Sequence, residues 1–175
     1  MTEPQRTTAN DSTILLIGLC FIVSGATGLI YEVLWARMLG LVFGATTLAV
    51  STVLAAFMGG LALGSALAGK LAPRIKKPLA TYGWMEIGIA AYAFLVPILF
   101  RWIDYVYALI WQQIHPEFFA FSLWRFVLSG LVLLVPTTLM GATLPAIARW
   151  VEATPSGVAW LGYFYGGNLA GAVVG

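Results

Sequence analysis

The chain has 175 residues, of which 61% are hydrophobic and 9% are charged, against about 45–50% and about 25% in soluble globular domains. Its mean hydropathy is +0.92, so there is too little polar surface to cover a soluble domain. The net charge of +2 gives no basic footprint for nucleic acid. This composition indicates a membrane protein and argues against both a soluble enzyme and a nucleic-acid-binding module.

The first twelve residues are polar, and we expect a disordered cytoplasmic tail over 1–12. A helix needs about 20 apolar residues to cross about 30 Å of hydrocarbon. Five later runs meet this length, so we predict an all-α polytopic membrane helix bundle with about five transmembrane helices in one domain, 13–175. The predicted spans are 13–35, 45–69, 80–100, 118–140 and 158–175.

The first span carries Glu32, with Arg37 just beyond it. Ionisable groups inside a span are costly and usually find partners in the protein interior. Glu32 and Arg125 of the fourth span lie at similar depths, so we expect them to meet, with Arg37 at the outer interface. Such a pair is compatible with fixing helix register or with binding a substrate. Cys20, in the same span, is interpreted as a small buried hydrophobe.

The second span contains glycine and serine residues at helix-packing intervals. Small side chains three or four residues apart let two membrane helices approach closely. We therefore predict a packing face built from Gly59, Gly60, Gly64, Ser65 and Gly69.

The connector after the second span is the densest basic cluster in the chain, with Lys70, Arg74, Lys76 and Lys77. Cytoplasmic loops hold the excess of Lys and Arg. We therefore expect a protein of the cell (inner) membrane, with this loop and the amino terminus in the cytoplasm. Tryptophan favours the membrane interface. In this arrangement the tryptophans near the outer interface are Trp35, Trp102, Trp111 and Trp124, and those near the inner one are Trp84, Trp150 and Trp160.

The third span carries Glu86, which we expect to interact with Lys70 and Arg74; a proton-coupling role is the alternative. The segment that follows it, 101–117, alternates apolar and polar residues at helical spacing and predicts an interfacial amphipathic helix. The candidate intramembrane polar network comprises Glu32, Arg37, Glu86, Arg125 and Asn168 of the fifth span.

Motifs for catalysis are absent from the sequence. It has no GxSxG, HExxH or CxxC pattern and no GK[ST] after a glycine-rich strand-to-helix turn. We therefore assign no catalytic residues, no metal and no cofactor to this chain. The last span ends at Gly175 without a polar tail, and we expect a chain truncated at its carboxyl terminus.

The stretch "SGATGLIYEVLWARMLGLVFGATTLAVSTVLAAFMGGLALGSALAGKLA", together with "YGWMEIGIAAYA" and "MGATLP", resembles the membrane part of bacterial spermidine-synthase-like proteins. In that family a major-facilitator-like membrane domain is fused to a spermidine synthase. The resemblance implies a half of a major-facilitator-like bundle, and an aminopropyltransferase activity located in a Rossmann-like domain outside this chain.

Three functions follow as expectations. The chain is the membrane domain of a spermidine-synthase-like protein, which anchors or feeds a soluble transferase domain. Alternatively it is a transport module for a small charged solute, or a non-catalytic structural or assembly subunit. The expected partners are the lipid bilayer and either that Rossmann-like domain or other membrane helices.

Overall fold

Helices account for the fold in the computed structural model, which describes residues 11–43, 47–114, 118–151 and 157–175. A 3₁₀ helix at Ala72–Arg74 connects the second and third helices, and no strand occurs in the described ranges. The all-α prediction is confirmed for this part of the chain. The five α-helices are α1 (Asp11–Phe43), α2 (Thr47–Leu71), α3 (Pro78–Ile114), α4 (Phe118–Val151) and α5 (Gly157–Val174).

Four helices are long and apolar enough to cross a membrane: Ser12–Leu41, Val50–Arg74, Pro78–Ile110 and Phe126–Val151. A multi-pass membrane protein is confirmed to this extent. The predicted fifth span coincides with α5, which is not one of the four. At 18 residues α5 is about 27 Å long, and Asn168 together with several aromatic residues lowers its apolar character.

The helices run further than we predicted. Residues 1–10 of the expected tail lie outside the described ranges, but Asp11 and Ser12 already belong to α1. Arg37 lies within α1 and not in a turn, and α4 continues past Met140 to Val151. Gly141 and Pro145 lie inside α4 without ending it, because backbone hydrogen bonding propagates cooperatively along a helix.

The segment predicted as an interfacial amphipathic helix over 101–117 is helical in its described part, 101–114, and its place at the membrane interface stays a prediction. Residues 101–114 continue α3 without a break, because the charged pair Arg101 and Asp104 marks a change of environment but does not interrupt a helix. The apolar face of this extension, including Trp102 and Val106, borders an apolar groove of about 490 Å³ beside Trp124 and Leu128 of α4. Residues 115–117 lie outside the described part of the chain.

Close backbone contact joins α2 to α4. A Cβ added to Gly60 would collide with Thr137, one added to Gly64 would collide with the Thr138 backbone, and Gly141 lies against the backbone of Leu61. The Thr137 hydroxyl also reaches the Ala56 carbonyl oxygen at 3.2 Å. These two helices therefore pack at backbone distance over several turns.

The same device joins α1 to α5. A Cβ on Gly25 would collide with the Asn168 backbone, and one on Gly171 would collide with the Ile22 backbone. The Asn168 Nδ2 donates a hydrogen bond of 3.0 Å to the Phe21 carbonyl oxygen. The bundle thus contains two closely packed helix pairs.

Two buried clusters connect these pairs. The first, the Tyr82 cluster, combines α1, α3, α4 and α5 through Ile14, Ile17, Phe21, Tyr82, Ile147, Val151 and Phe164. The second, the Trp35 cluster, combines α1 to α4 through Trp35, Leu39, Val53, Ala56, Phe57, Val96, Phe100 and Leu133.

Trp35 is 1% exposed, so neighbouring helices cover its ring, and its predicted depth at the outer membrane interface stays a prediction. Its ring stacks on Tyr31 with centroids 5.5 Å apart, and the other helices of the Trp35 cluster cover it.

Candidate functional site

An elongated groove of about 490 Å³ separates α1 from α3 between the two buried clusters. The polar residues that line it recur at helical spacing. They are Cys20, Ser24 and Thr27 on α1 and Tyr82 and Glu86 on α3. Residues three, four or seven positions apart share one face of a helix, so both polar stripes face the groove. The remaining lining residues are Leu19, Val23, Tyr31, Gly83, Ile89 and Ala90.

Glu86 is the acidic residue of the groove. The Ser24 hydroxyl donates a hydrogen bond of 3.0 Å to the Glu86 Oε1, which joins α1 and α3 at this level. Glu86 lies eight residues into α3, about 12 Å along the helix axis, well inside a candidate span. A carboxyl group at that depth is costly unless it has partners, and one hydroxyl donor leaves most of its acceptor sites unused.

Tyr82 precedes Glu86 by one helical turn and is 6% exposed. Its hydroxyl is buried and has no partner within strict hydrogen-bond geometry among the described residues, but it faces the Glu86 carboxyl group closely enough to interact with it. An unsatisfied buried polar group costs about 1–3 kcal/mol. Such a group beside an acid is a feature expected of a ligand site.

Aromatic stacks flank the groove at both ends. Phe21 stacks on Tyr82 with centroids 5.3 Å apart at one end, and Tyr31 stacks on Trp35 at the other. The long side stays open, since Leu19 and Val23 are 55% and 60% exposed. The predicted burial of Cys20 is wrong, because its side chain is exposed on this open side.

The candidate polar network does not come together as one unit in the described part of the chain. Glu32 is half-buried outside the groove lining, and Arg37 is exposed. Asn168 contacts the Phe21 carbonyl of α1 and therefore serves the α1–α5 pair. Arg125 belongs to α4, but its side chain lies outside the described residues, so the Glu32–Arg125 contact stays a prediction.

Glu86 does not take the partners that we expected. Lys70, Arg74, Lys76 and Lys77 are all exposed, and Glu86 accepts its hydrogen bond from Ser24. The reason is the position of α1 alongside α3 at the level of Glu86, which a sequence without contact information does not contain. The polar stripe on α1 at Cys20, Ser24, Thr27 and Tyr31 is the signal that would have identified this face.

The predicted glycine face divides in two. Gly60 and Gly64 lie in the α2–α4 contact, whereas Gly59 and Gly69 have open space where a Cβ would stand, and Ser65 is exposed. The register of α2 against α4 selects one of the two overlapping small-residue frames.

A carboxyl group, two hydroxyls and an apolar wall can bind a cation whose N–H groups need acceptors. Among the described residues no three His, Cys, Asp or Glu side chains come together to hold a metal ion. Comparisons with protein families, curated proteins and solved structures return no match for this chain. The chemistry of the groove is therefore the basis for assigning a function.

Proposed function

We propose that this chain is the membrane-embedded domain of a spermidine-synthase-like protein and that it binds a small cationic solute at Glu86. In this proposal it forms a major-facilitator-like half in the inner membrane, with its amino terminus in the cytoplasm. It anchors, or supplies substrate to, a Rossmann-like transferase domain. The observation that carries the binding role is the Glu86–Ser24 pair in a groove where Glu86 is the one acid among the described lining residues.

The Glu86 carboxylate needs a positive charge to compensate for its position inside a span. Glu86 stands in a candidate span with one hydroxyl partner, and a charge in such surroundings is strongly unfavourable without a counter-ion. An ammonium ion supplies both the opposite charge and several N–H donors. Binding a cation therefore satisfies the carboxylate better than the empty groove does.

The test is the binding of n-butylammonium to the protein in lipid nanodiscs, measured by calorimetry. We expect Glu86→Gln to weaken binding by about tenfold or more, because a charge-assisted hydrogen bond is worth about 1.5–3 kcal/mol. Glutamine keeps the shape of the side chain and can still accept from Ser24, so the melting temperature should change little.

Glu32→Gln is the matched control. It removes a half-buried glutamate from α1, outside the groove lining, and we expect it to bind n-butylammonium as the unchanged protein does. Equal binding by Glu86→Gln and the unchanged protein would contradict the proposal.

Transport of the solute is a second proposal, favoured by the distribution of close contacts. The glycine contacts join α1 to α5 and α2 to α4 at backbone distance, whereas a groove separates α1 from α3. A loosely packed boundary between α1, which belongs to one of these pairs, and α3, which belongs to neither, is suited to relative movement. Uptake of labelled n-butylammonium into vesicles, lost in Glu86→Gln, is the result expected of a transporter.

A further inference from the structure

We propose that the ligand of the Glu86 groove is a monoamine amphiphile, with one ammonium head at Glu86, Ser24 and Tyr82 and an alkyl chain along the apolar wall, which reaches the groove from the bilayer. This inference rests on the proposed cation site and specifies the class of compound that the site accepts.

The head group is inferred from the unused acceptors. Ser24 occupies one acceptor position of the Glu86 carboxyl group, and the buried Tyr82 oxygen has no hydrogen-bond partner among the described residues. A primary ammonium has three N–H donors, enough to reach both groups at once. A quaternary ammonium has none and would leave the Tyr82 hydroxyl unsatisfied.

The number of charges is inferred from the lining. Glu86 is the one acid among the residues described around this groove. A second ammonium on the same ligand would find no second carboxylate in the lining, only the hydroxyls of Thr27 and Tyr31 and apolar side chains, and a charge without a counter-ion is strongly unfavourable there. The groove therefore fits a single positive charge with a hydrocarbon chain better than it fits a diamine or a polyamine.

The route by which a ligand reaches the groove is inferred from which side of the groove is open. Two aromatic stacks flank the groove along the helix axes, one with Tyr82 and one with Tyr31. The open side runs between Leu19 and Val23 on α1 and Ala90 on α3, bordered by Ile87 at 59% exposure. In a membrane, exposed aliphatic residues of this kind face the acyl chains, so the open side faces lipid and a ligand arrives sideways.

The experiment uses the full chain in phosphatidylcholine nanodiscs and four probes of one chain length: octylammonium, octyltrimethylammonium, octanol and the α,ω-diamine of octane. Calorimetry gives binding after subtraction of partitioning into empty nanodiscs. We expect saturable binding of octylammonium and at least about tenfold weaker binding of the other three probes. We expect Glu86→Gln to weaken octylammonium binding by about tenfold, with Glu32→Gln unchanged.

Tyr82→Phe removes the unpartnered hydroxyl and nothing else. We expect octylammonium binding to fall by about threefold to tenfold, the effect of one hydrogen bond, and octyltrimethylammonium binding to stay as it was. Cys20, the single cysteine of the chain, lines the groove and reports location, since bound octylammonium should slow its alkylation by N-ethylmaleimide.

The outcomes separate this inference from the proposed function. If the diamine binds as tightly as octylammonium and still requires Glu86, the monoamine inference is overturned while the cation site stands. If octyltrimethylammonium binds as tightly, recognition of the head by N–H groups is overturned. If no probe depends on Glu86, the proposed cation site fails as well.

Discussion

Polar side chains inside this bundle fall into two kinds. Asn168 and Thr137 each reach a backbone carbonyl oxygen on a neighbouring helix, Phe21 in one case and Ala56 in the other. Such contacts satisfy the side chain and add to helix association. Glu86 and Tyr82 differ, because their capacity for hydrogen bonds exceeds what the described residues supply. The first kind is structural, and the second kind is where a ligand is expected.

Asn168→Leu tests the structural kind. The change removes the 3.0 Å hydrogen bond to Phe21, and interhelical hydrogen bonds in membranes average about 0.6 kcal/mol with a maximum of about 1.7. We expect the free energy of unfolding in mixed micelles to decrease by an amount in that range, while n-butylammonium binding stays unchanged. The control is Tyr165→Phe at an exposed site on the same helix. Unchanged stability of Asn168→Leu would show that this bond is energetically neutral.

The sequence predicted that polar residues lie inside the spans, but it did not predict their hydrogen-bond partners. Glu86 stands out as an acid in a span, yet its contact is Ser24 and not the basic loop. Asn168 stands out in the same way, yet it belongs to the α1–α5 pair. A partner 62 or 147 residues away depends on which helices are neighbours, and no local pattern contains that information.

At the scale of the helices, glycine positions determine which faces approach. The small-residue spacing in α2 predicts close packing, and the structure uses Gly60 and Gly64 against α4. Because Thr137 occupies the space that a Gly60 side chain would fill, the α2–α4 contact depends on the absence of a Cβ.

Gly64→Ala and Gly69→Ala form a matched pair on α2. The first adds a methyl group against the Thr138 backbone, and the second adds it in open space. Overpacking costs about 1–3 kcal/mol, so we expect Gly64→Ala to lower the free energy of unfolding by that amount. Gly69→Ala should leave it unchanged or raise it slightly, since alanine favours a helix. If Gly64→Ala lowered the free energy of unfolding no more than Gly69→Ala does, movement of α4 would be relieving the clash at Gly64.

Helix ends are the elements that the sequence predicted least well. The apolar runs identify α1 to α4 as spans, but they end the first span before Arg37 and the third before residue 101, whereas both helices continue further. Hydropathy reports the environment of a residue. Backbone hydrogen bonding propagates cooperatively beyond the apolar run, so the two boundaries differ.

At the scale of the whole molecule, the distribution of positive charge supports an orientation. The basic residues Lys70, Arg74, Lys76 and Lys77 cluster at one connection, between two candidate spans. By the positive-inside rule, such a short loop is expected in the cytoplasm. In the proposed orientation the far end of α3 lies on the outer side.

Cysteine accessibility tests this orientation. In a Cys20→Ser background we expect Lys76→Cys to react with a membrane-impermeant maleimide only in inside-out vesicles, and Gln112→Cys only in right-side-out vesicles or cells. Both sites are exposed, so burial does not limit the reaction. The reverse pattern would contradict the proposed orientation, and with it the cytoplasmic amino terminus.

Composition and apolar run length were sufficient, by themselves, to determine a helical chain with several membrane spans. This is because burial in lipid requires every backbone polar group to be satisfied within its own segment, which a local sequence can encode. The tertiary structure decided everything that depends on which helices are neighbours. It selected the glycine frame that packs, buried Trp35 and brought Ser24 to Glu86. These contacts join distant parts of the chain, and only the packing of complete helices specifies them.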